Sequence, residues 1–193
     1  IIVGKGPSLK DVTQSTFFNS IIINVNDSEI YQKGHFTLFH ADWIVESLKQ
    51  NGFKNKYYIS NQDLEKVIPK SSAWLQADYL PLHDEGVEHI PEFFNNPGFQ
   101  VSDFLLISAL KFAYLLNNEI SKKLPIYLIG FDFEYKPDSE IIDTSGHDEQ
   151  YKQVLFRTQK EYYKYFVAYL RHIYAIEIIH VGNSDISDIR LQD

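Results

Sequence analysis

The sequence predicts an α/β fold: a Rossmann-like, mostly parallel sheet flanked by helices. Short runs of branched apolar residues, typical of strands buried on both faces, recur along the chain. Segments with helical periodicity lie between them, most clearly residues 104–123 and 148–174. Strands that alternate with helices favour parallel pairing through right-handed crossovers. A length of 193 residues suits one domain with its own core, so residues 1–193 are predicted as a single Rossmann-like domain.

The composition excludes several classes of protein. An apolar fraction of 44% indicates a globular chain rather than a disordered one. Asp and Glu (26) outnumber Lys and Arg (18), and the net charge of −8 disfavours a nucleic-acid-binding protein. The absence of cysteine excludes disulfides and thiolate metal sites and suits a reducing cytoplasm. No apolar run reaches the roughly 20 residues of a membrane span, and no signal peptide is evident.

The first nine residues predict a strand, a tight turn and the start of a helix. Residues 1–3 are branched and apolar, as in a buried parallel strand. Gly4 and Gly6 allow a sharp turn and leave no side chain between the backbone and a ligand. Pro7 restricts the turn, and Ser8 can cap the helix that follows. Free backbone N–H groups and the helix dipole would form an anion site there, although a plain strand-to-helix turn explains the spacing equally well.

Two further strands follow the opening turn. Residues 20–25 form the second, and Asn26 and Asp27 come directly after it. Polar side chains at the carboxyl end of a buried strand are where open α/β sheets bind ligands, but a helix cap is at least as good an interpretation. Residues 36–39 predict the third strand, and residues 41–50 predict a helix that stops at the following Asn-Gly.

A fourth strand at residues 56–59 precedes a segment with little periodicity. Residues 69–98 contain four prolines and several acidic residues, so they are predicted as an irregular, lid-like insertion. The histidines and acidic residues within 83–89 could be imagined as metal ligands. Their spacing matches no standard metal site, so a solvated loop is favoured and no metal is predicted.

The middle helix is the clearest in the sequence. Ser102 and Asp103 are suited to cap residues 104–123, which carry a wide apolar face. The next strand, residues 126–130, ends shortly before Asp132. A carboxylate in that position either faces a ligand or caps a neighbouring loop, and the two interpretations are equally good.

The last third of the chain predicts a loop, a long helix and a strand. Residues 136–146 are polar and lead into the helix at 148–174, and residues 176–181 form the final strand. His147 lies at the junction of loop and helix. Its position alone favours a helix cap over a catalytic role.

Three sequence blocks together resemble the bacterial sialyltransferases that use CMP-sialic acid and, more distantly, the motility-associated nonulosonate transferases. The blocks are Val-Gly-Lys-Gly-Pro-Ser-Leu at 3–9, Ile-Tyr-Leu-Ile-Gly-Phe-Asp-Phe at 126–133 and Gly-His at 146–147. Their order along the chain carries more weight than any one block. The family usually has Asn between the two glycines of the first block, where this chain has Lys5.

The resemblance implies a set of substrate-binding and catalytic residues. The glycine-proline-serine turn would bind the CMP portion of the donor, through Gly4, Lys5, Gly6, Pro7 and Ser8. Asn26 and Ser102 would contact the nucleotide, and Asp132, in the second block, is assigned to substrate binding with them. His147 would be the general base, and Tyr135 would assist the departing phosphate.

The implied activity is a metal-independent glycosyltransferase of the inverting type, without a cofactor. It would move a sialic-acid or nonulosonate-type sugar from a CMP donor to a glycan acceptor in bacterial surface polysaccharide synthesis. Histidine can take a proton near neutral pH, and a single phosphate can be stabilised without a metal. The alternatives are a pterin diphosphokinase-like enzyme, which would need magnesium, and a non-catalytic nucleotide-sugar-binding domain.

The same resemblance predicts where such an enzyme would work. The expected location is the cytoplasm, with peripheral association at the inner face of the membrane.

Because the sequence has no methionine and starts within a predicted strand, we expect a domain of a longer protein.

Overall fold

The computed structural model describes residues 1–82, 87–120, 123–134 and 148–191. Within these ranges the strands are β1 (Ile2–Val3), β2 (Ile23–Val25), β3 (Phe36–Phe39), β4 (Tyr57–Ser60), β5 (Ala73–Gln76), β6 (Asp78–Leu80), β7 (Gln100–Ser102), β8 (Ile126–Ile129), β9 (Ile178–Gly182) and β10 (Ile189–Arg190). The α-helices are α1 (Asp42–Asn51), α2 (Ile90–Asn95), α3 (Leu105–Glu119) and α4 (Glu149–Tyr174). Short 3₁₀ helices cover Pro7–Asp11, Gln14–Phe17, Ser28–Ile30 and Val87–His89.

Eight strands form one sheet in which every neighbouring pair is parallel. Their order is β10-β9-β8-β1-β2-β3-β4-β5. The chain moves outward from β1 to β5 and later returns to the other side of β1 at β8, so the strand order reverses between β1 and β8. A separate pair, β6 and β7, is also parallel. The predicted fold class, a mostly parallel α/β sheet flanked by helices, is confirmed.

Helices cover both faces of this sheet. On one face, α3 and α4 pack over strand residues such as Ile2 and Leu128 in the largest apolar cluster. On the opposite face, the first two 3₁₀ helices cover Val3 and Ile129, and α1 packs over Phe39. Successive residues of one strand, such as Ile2 and Val3, therefore enter different clusters, because successive side chains of a strand point to opposite faces.

A row of buried polar side chains crosses the second face. Asn24, Thr37 and Tyr58 stand beside one another on β2, β3 and β4. Asn55 joins them, since its Nδ2 donates to Asn24 Oδ1 and to Thr37 Oγ1, both at 2.8 Å. The buried Glu29 accepts from Tyr58 OH (2.9 Å) and from Thr37 Oγ1. Burial, and then the charge of Glu29, raises the pKa of Tyr58.

Most predicted elements are present, with shifted bounds. The helix α3 is shorter than the predicted 104–123, whereas α4 matches the predicted 148–174 closely. The opening turn leads into a 3₁₀ helix. The segment 69–98, predicted to be irregular, contributes the edge strand β5 as well as β6 and α2, and its residues 83–86 lie outside the described ranges. Among the described helices, none combines the length and the apolar character needed to cross a lipid bilayer.

Lys111 is a buried lysine in the middle of α3. Its ammonium group donates to the backbone carbonyls of Phe93 (2.8 Å), Asn96 (2.8 Å) and Gly98 (2.6 Å), at the end of α2 and just after it. The three hydrogens of the ammonium group match these three acceptors. Burial lowers the pKa of Lys111 to about 8. The lysine therefore ties α2 to α3 at the cost of a buried charge.

We predict that Lys111 makes the free energy of unfolding rise between about pH 8 and pH 10.5. In this interval the folded protein has released the Lys111 proton, whereas the unfolded chain still binds it. A lowered pKa in the folded state therefore favours folding as the pH rises, by about 3 kcal/mol over the whole interval. Urea unfolding of the wild type and of Lys111→Met at several pH values measures the effect. The free energy of unfolding of the wild type, minus that of Lys111→Met, should increase as the pH rises. A difference that stays constant with pH would contradict the prediction.

Candidate functional site

A cavity of about 440 Å³ lies at the carboxyl ends of the central strands. Its walls come from the segments after β1, β2, β3 and β8, from the first turn of α3 and from the first half of α4. The strand order reverses beside it, between β1 and β8. Open α/β sheets bind their ligands at such a point. The cavity is therefore the candidate site.

The turn after β1 and the turn after β8 meet backbone to backbone at one wall of the cavity. The Gly4 amide donates to Ile129 O (2.8 Å), and the Gly6 amide donates to Gly130 O (2.7 Å). A Cβ atom at Gly4 would lie 2.4 Å from Gly130 O, and one at Gly6 would lie 2.8 Å from it. The approach of two backbones therefore requires both glycines. The amides of Gly4 and Gly6 are both used within the protein, so neither of them is available to an anion, and an anion site at this turn stays a prediction.

The β8 turn has a left-handed backbone at two of its residues. Gly130 has a φ of 75° and Phe133 a φ of 52°. This region is rare for a bulky side chain and persists only where the surroundings impose it, often at ligand sites. The Phe133 ring lies 5.1 Å from the ring of Tyr163 and 6.1 Å from that of His180, measured between centroids. Packing behind the turn thus holds its shape toward the cavity.

Asp132 holds the opening turn in place. Its Oδ2 accepts hydrogen bonds from the Ser8 amide (3.0 Å) and the Ser8 hydroxyl (2.9 Å), and both residues are buried. Of the two interpretations of this carboxylate, capping of a neighbouring loop is what the structure shows. Ser8 does not cap the following 3₁₀ helix, because Gly6 occupies the N-cap position. Asp132 lines the cavity and Ser8 does not, and ligand contact by either residue stays a prediction.

Lys5 projects from the opening turn and also lines the cavity. Its Nζ lies 2.6 Å from Asp27 Oδ1 and 4.9 Å from the ring centroid of Trp43. The other carboxylate oxygen of Asp27 accepts from Ser47 Oγ at 2.6 Å. The predicted helix cap at Asp27 makes no side-chain capping bond. Its carboxylate instead pairs with the lysine.

The two residues predicted to contact the nucleotide occupy different positions. Asn26 lines the cavity with a φ of 56°, and its amide donates to Leu38 O (2.9 Å). Asparagine adopts this left-handed region more readily than most residues do. Ser102 is buried beside α3, where its hydroxyl donates to Phe104 O (2.9 Å) and lies 3.0 Å from Ser108 Oγ. The structure brings Asn26, but not Ser102, to the cavity wall.

The first turn of α3 opens onto the cavity. Phe104, rather than Ser102 or Asp103, occupies the N-cap position, and it makes no side-chain capping bond. Leu105 and Leu106 line the cavity, and their amides have no acceptor among the described residues. Buried backbone N–H groups almost always have a partner. Two amides at the positive end of a helix, without an acceptor in the described part of the chain, form a donor pair suited to an anionic ligand.

The cavity wall is largely aromatic and carries little positive charge. Its aromatic side chains are Trp43, Phe104, Phe131, Phe133, Tyr151 and Phe156. Among the described lining residues, Lys5 is the one lysine or arginine, against the acidic Asp103, Asp132 and Glu134. Flat aromatic faces suit the ring of a nucleobase or a sugar. A ligand with several negative charges would meet an acidic wall.

His180 is a buried polar residue behind the candidate site that the sequence analysis missed. It lies on β9, with Nε2 2.7 Å from Phe131 O and Nδ1 3.1 Å from Ser187 Oγ. These partners fit a neutral ring that donates from Nε2 and accepts at Nδ1. Burial lowers the pKa of His180, and the Phe131 carbonyl, Asp132 and Asp188 oppose this shift. The His180 ring thus supports the β8 turn from the side opposite the cavity. Its position within an apolar strand is the sequence signal that could have indicated a buried histidine.

The predicted catalytic residues Tyr135 and His147 lie outside the described residues, so their roles stay predictions. Asp148, the next residue, caps α4 by accepting from the Tyr151 amide at 2.8 Å. Tyr151 lines the cavity, so α4 begins beside it. Within the described ranges, no group of three or more histidine, aspartate or glutamate side chains is arranged to hold a metal ion.

Comparisons with protein families, with curated proteins and with solved structures found no match to this chain. The family resemblance therefore rests on the three sequence blocks.

We predict that Gly6→Ala destabilises the fold, because the new Cβ would lie 2.1 Å from Asp132 Oδ2 and 2.8 Å from Gly130 O. The two turns would have to separate, at a cost of roughly 1 to 3 kcal/mol or more. Gly182→Ala is the matched control, since it lies at the end of β9 and its Cβ would meet nothing closer than 3.4 Å. Urea unfolding should show a large loss for Gly6→Ala and a change within about 1 kcal/mol for the control. Equal stability of the two variants would refute the tight contact.

Proposed function

We propose that the protein is a metal-independent glycosyltransferase that moves a sialic-acid or related nonulosonate sugar from a CMP donor to a glycan acceptor. The observation that carries the proposal is the cavity at the strand-order reversal, because it is lined by most of the substrate-binding residues that the family resemblance implies. These are Gly4, Lys5, Gly6, Pro7, Asn26 and Asp132. Ser8 supports the proposal indirectly, through its two hydrogen bonds to Asp132.

The cavity offers a binding place for the donor phosphate. A CMP-linked nonulosonate carries one negative charge on its phosphate and a second on the carboxylate of the sugar. Donors for the phosphate come from the Lys5 ammonium group and from the amides of Leu105 and Leu106, which have no acceptor among the residues that the structure describes. The positive end of the α3 dipole lies at the same two amides.

The size and the walls of the cavity fit the rest of the donor. Small-molecule sites have volumes of roughly 300 to 1,000 Å³, and this cavity has about 440 Å³. Aromatic side chains such as Trp43 and Phe131 offer flat faces for a base or a sugar ring. The polar turn residues and the aromatic wall together suit a ligand that combines charged groups with a planar base and a sugar ring.

The proposed chemistry is a direct displacement at the anomeric carbon. His147 takes the proton of the acceptor hydroxyl, and the acceptor oxygen forms a bond to the anomeric carbon as the bond to the CMP phosphate oxygen breaks. Tyr135 donates a hydrogen bond to the departing phosphate. His147 comes two residues before α4, and Tyr151 in the first turn of α4 lines the cavity. In this role the enzyme would work in the cytoplasm, at the inner face of the membrane, on a surface polysaccharide.

We predict that CMP binds to the protein without a divalent metal and more tightly than UDP or ATP. The reason is that Lys5 and the first amides of α3 supply donors for one phosphate, whereas the carboxylates among the described lining residues disfavour a ligand with more negative charge. Calorimetric titration of each nucleotide, in EDTA and then with magnesium, measures this preference. Binding of ATP that depends on magnesium, with no binding of CMP, would instead favour the pterin diphosphokinase-like alternative.

We predict that His147→Ala lowers turnover by roughly 10²- to 10⁴-fold, the usual contribution of a general base. CMP affinity should change little, because the residue acts on the acceptor. The acid limb of the pH–rate profile should disappear, since it reports protonation of the base. His172→Ala, which removes an exposed histidine from α4, is the control and should keep normal turnover. If His147→Ala also kept it, the residue would be only a helix-flanking polar group.

A further inference from the structure

Lys5, the one lysine among the described residues of the cavity wall, is already paired with a carboxylate of the protein. Lys5 Nζ lies 2.6 Å from Asp27 Oδ1, and the exposed fractions of the two side chains are 16% and 8%. Asp27 is itself fixed, because its Oδ2 accepts from Ser47 Oγ on α1 at 2.6 Å. The pair therefore joins the end of β1 to the end of β2 in a partly dry environment, where the attraction between charges exceeds that of an exposed pair.

The ammonium group of Lys5 retains capacity for a ligand. Apart from Asp27, it has no acceptor among the described residues, and the face of Trp43 lies 4.9 Å away. A lysine has three donor hydrogens. The contrast with Lys111 is direct, because Lys111 uses all three of its donors on backbone carbonyls.

Asp27 reduces the attraction of this lysine for anions. The carboxylate neutralises the Lys5 charge close to the place where a phosphate would lie. An incoming anion must either displace Asp27 from Lys5 or bind beside a fixed negative charge, and both cost free energy. A ligand that also bonds to the α3 amides and packs on the aromatic wall can offset this cost, whereas a small inorganic anion has no such contacts.

We propose that Asp27 sets how strongly the cavity binds anions: it competes for Lys5, so that a phosphate binds well only as part of a larger ligand whose further contacts offset the cost of that competition. The inference deepens the proposed function and rests on it for the identity of the larger ligand, a nucleoside monophosphate. The competition between Asp27 and an anion depends only on the observed ion pair.

The test is a calorimetric titration of the full chain, first with inorganic phosphate and then, in a separate experiment, with CMP. Asp27→Asn keeps the shape of the side chain and a bond to Ser47 but removes the charge. The affinity for inorganic phosphate should rise by roughly tenfold or more, in the range of ordinary charge couplings, and CMP should gain by a similar factor. Asp27→Ser provides a second charge-removing variant in case the first one folds poorly.

Two further variants identify the cause of any gain. In the double variant Lys5→Met/Asp27→Asn the gain in phosphate affinity should vanish, because the lysine that forms the ion pair with Asp27 has been removed. Ser47→Ala removes the hydrogen bond to Asp27 without changing the charge, and phosphate affinity should stay within about twofold of the wild-type value.

Each result of the titrations has a defined meaning. Unchanged or weaker phosphate affinity in both Asp27 variants, or a gain that survives the loss of Lys5, would overturn the inference. A phosphate gain in the Asp27 variants, together with no CMP binding to any protein, would support the competition while refuting the proposed CMP-dependent function.

Discussion

Hydrogen bonds from Gly4 and Gly6 to the β8 turn fasten the centre of the sheet to the wall of the cavity. The bonds are short, at 2.8 and 2.7 Å, and they bring two backbones too close for a side chain at either glycine. Asp132 adds a second connection between the same two turns, because its carboxylate accepts two hydrogen bonds from Ser8, which lies 124 residues away in the sequence. The shape of the candidate site therefore depends on packing between β1 and β8, and not only on the residues that would touch a ligand.

Local patterns made most of the fold predictable from the sequence. Apolar runs marked the central strands, and the 3.6-residue period marked α4. Contacts distant in sequence were not predictable. Nothing near Gly6 indicates that Gly130 lies against it, and nothing near His180 indicates its bond to Phe131. The cavity position of Asn26 followed from the rule for strand ends, whereas Ser102 is turned into the core by its bonds around the start of α3.

Polar groups in the scaffold and polar groups at the candidate site differ in how many hydrogen-bond partners they have. In the scaffold, Asn55 and Glu29 have several partners each, and Lys111 has three carbonyl acceptors. At the cavity, by contrast, the first amides of α3 have no acceptor among the described residues. Saturated polar networks make a fold rigid, and unsaturated donors at a cavity wall leave binding capacity for a ligand. The protein shows both arrangements on the same helix, α3.

The pairing of β1 with β8 also bears on how the chain folds during translation. Ile2 pairs with Ile23, which is synthesised soon afterwards, but its other neighbour is Leu128. At about 5 to 20 residues per second, a ribosome needs roughly 6 to 25 seconds to add the intervening chain. Through that time one edge of β1 lacks its partner and is open to association with other nascent chains. A polypeptide released before β8 would keep this open edge and would have no complete cavity.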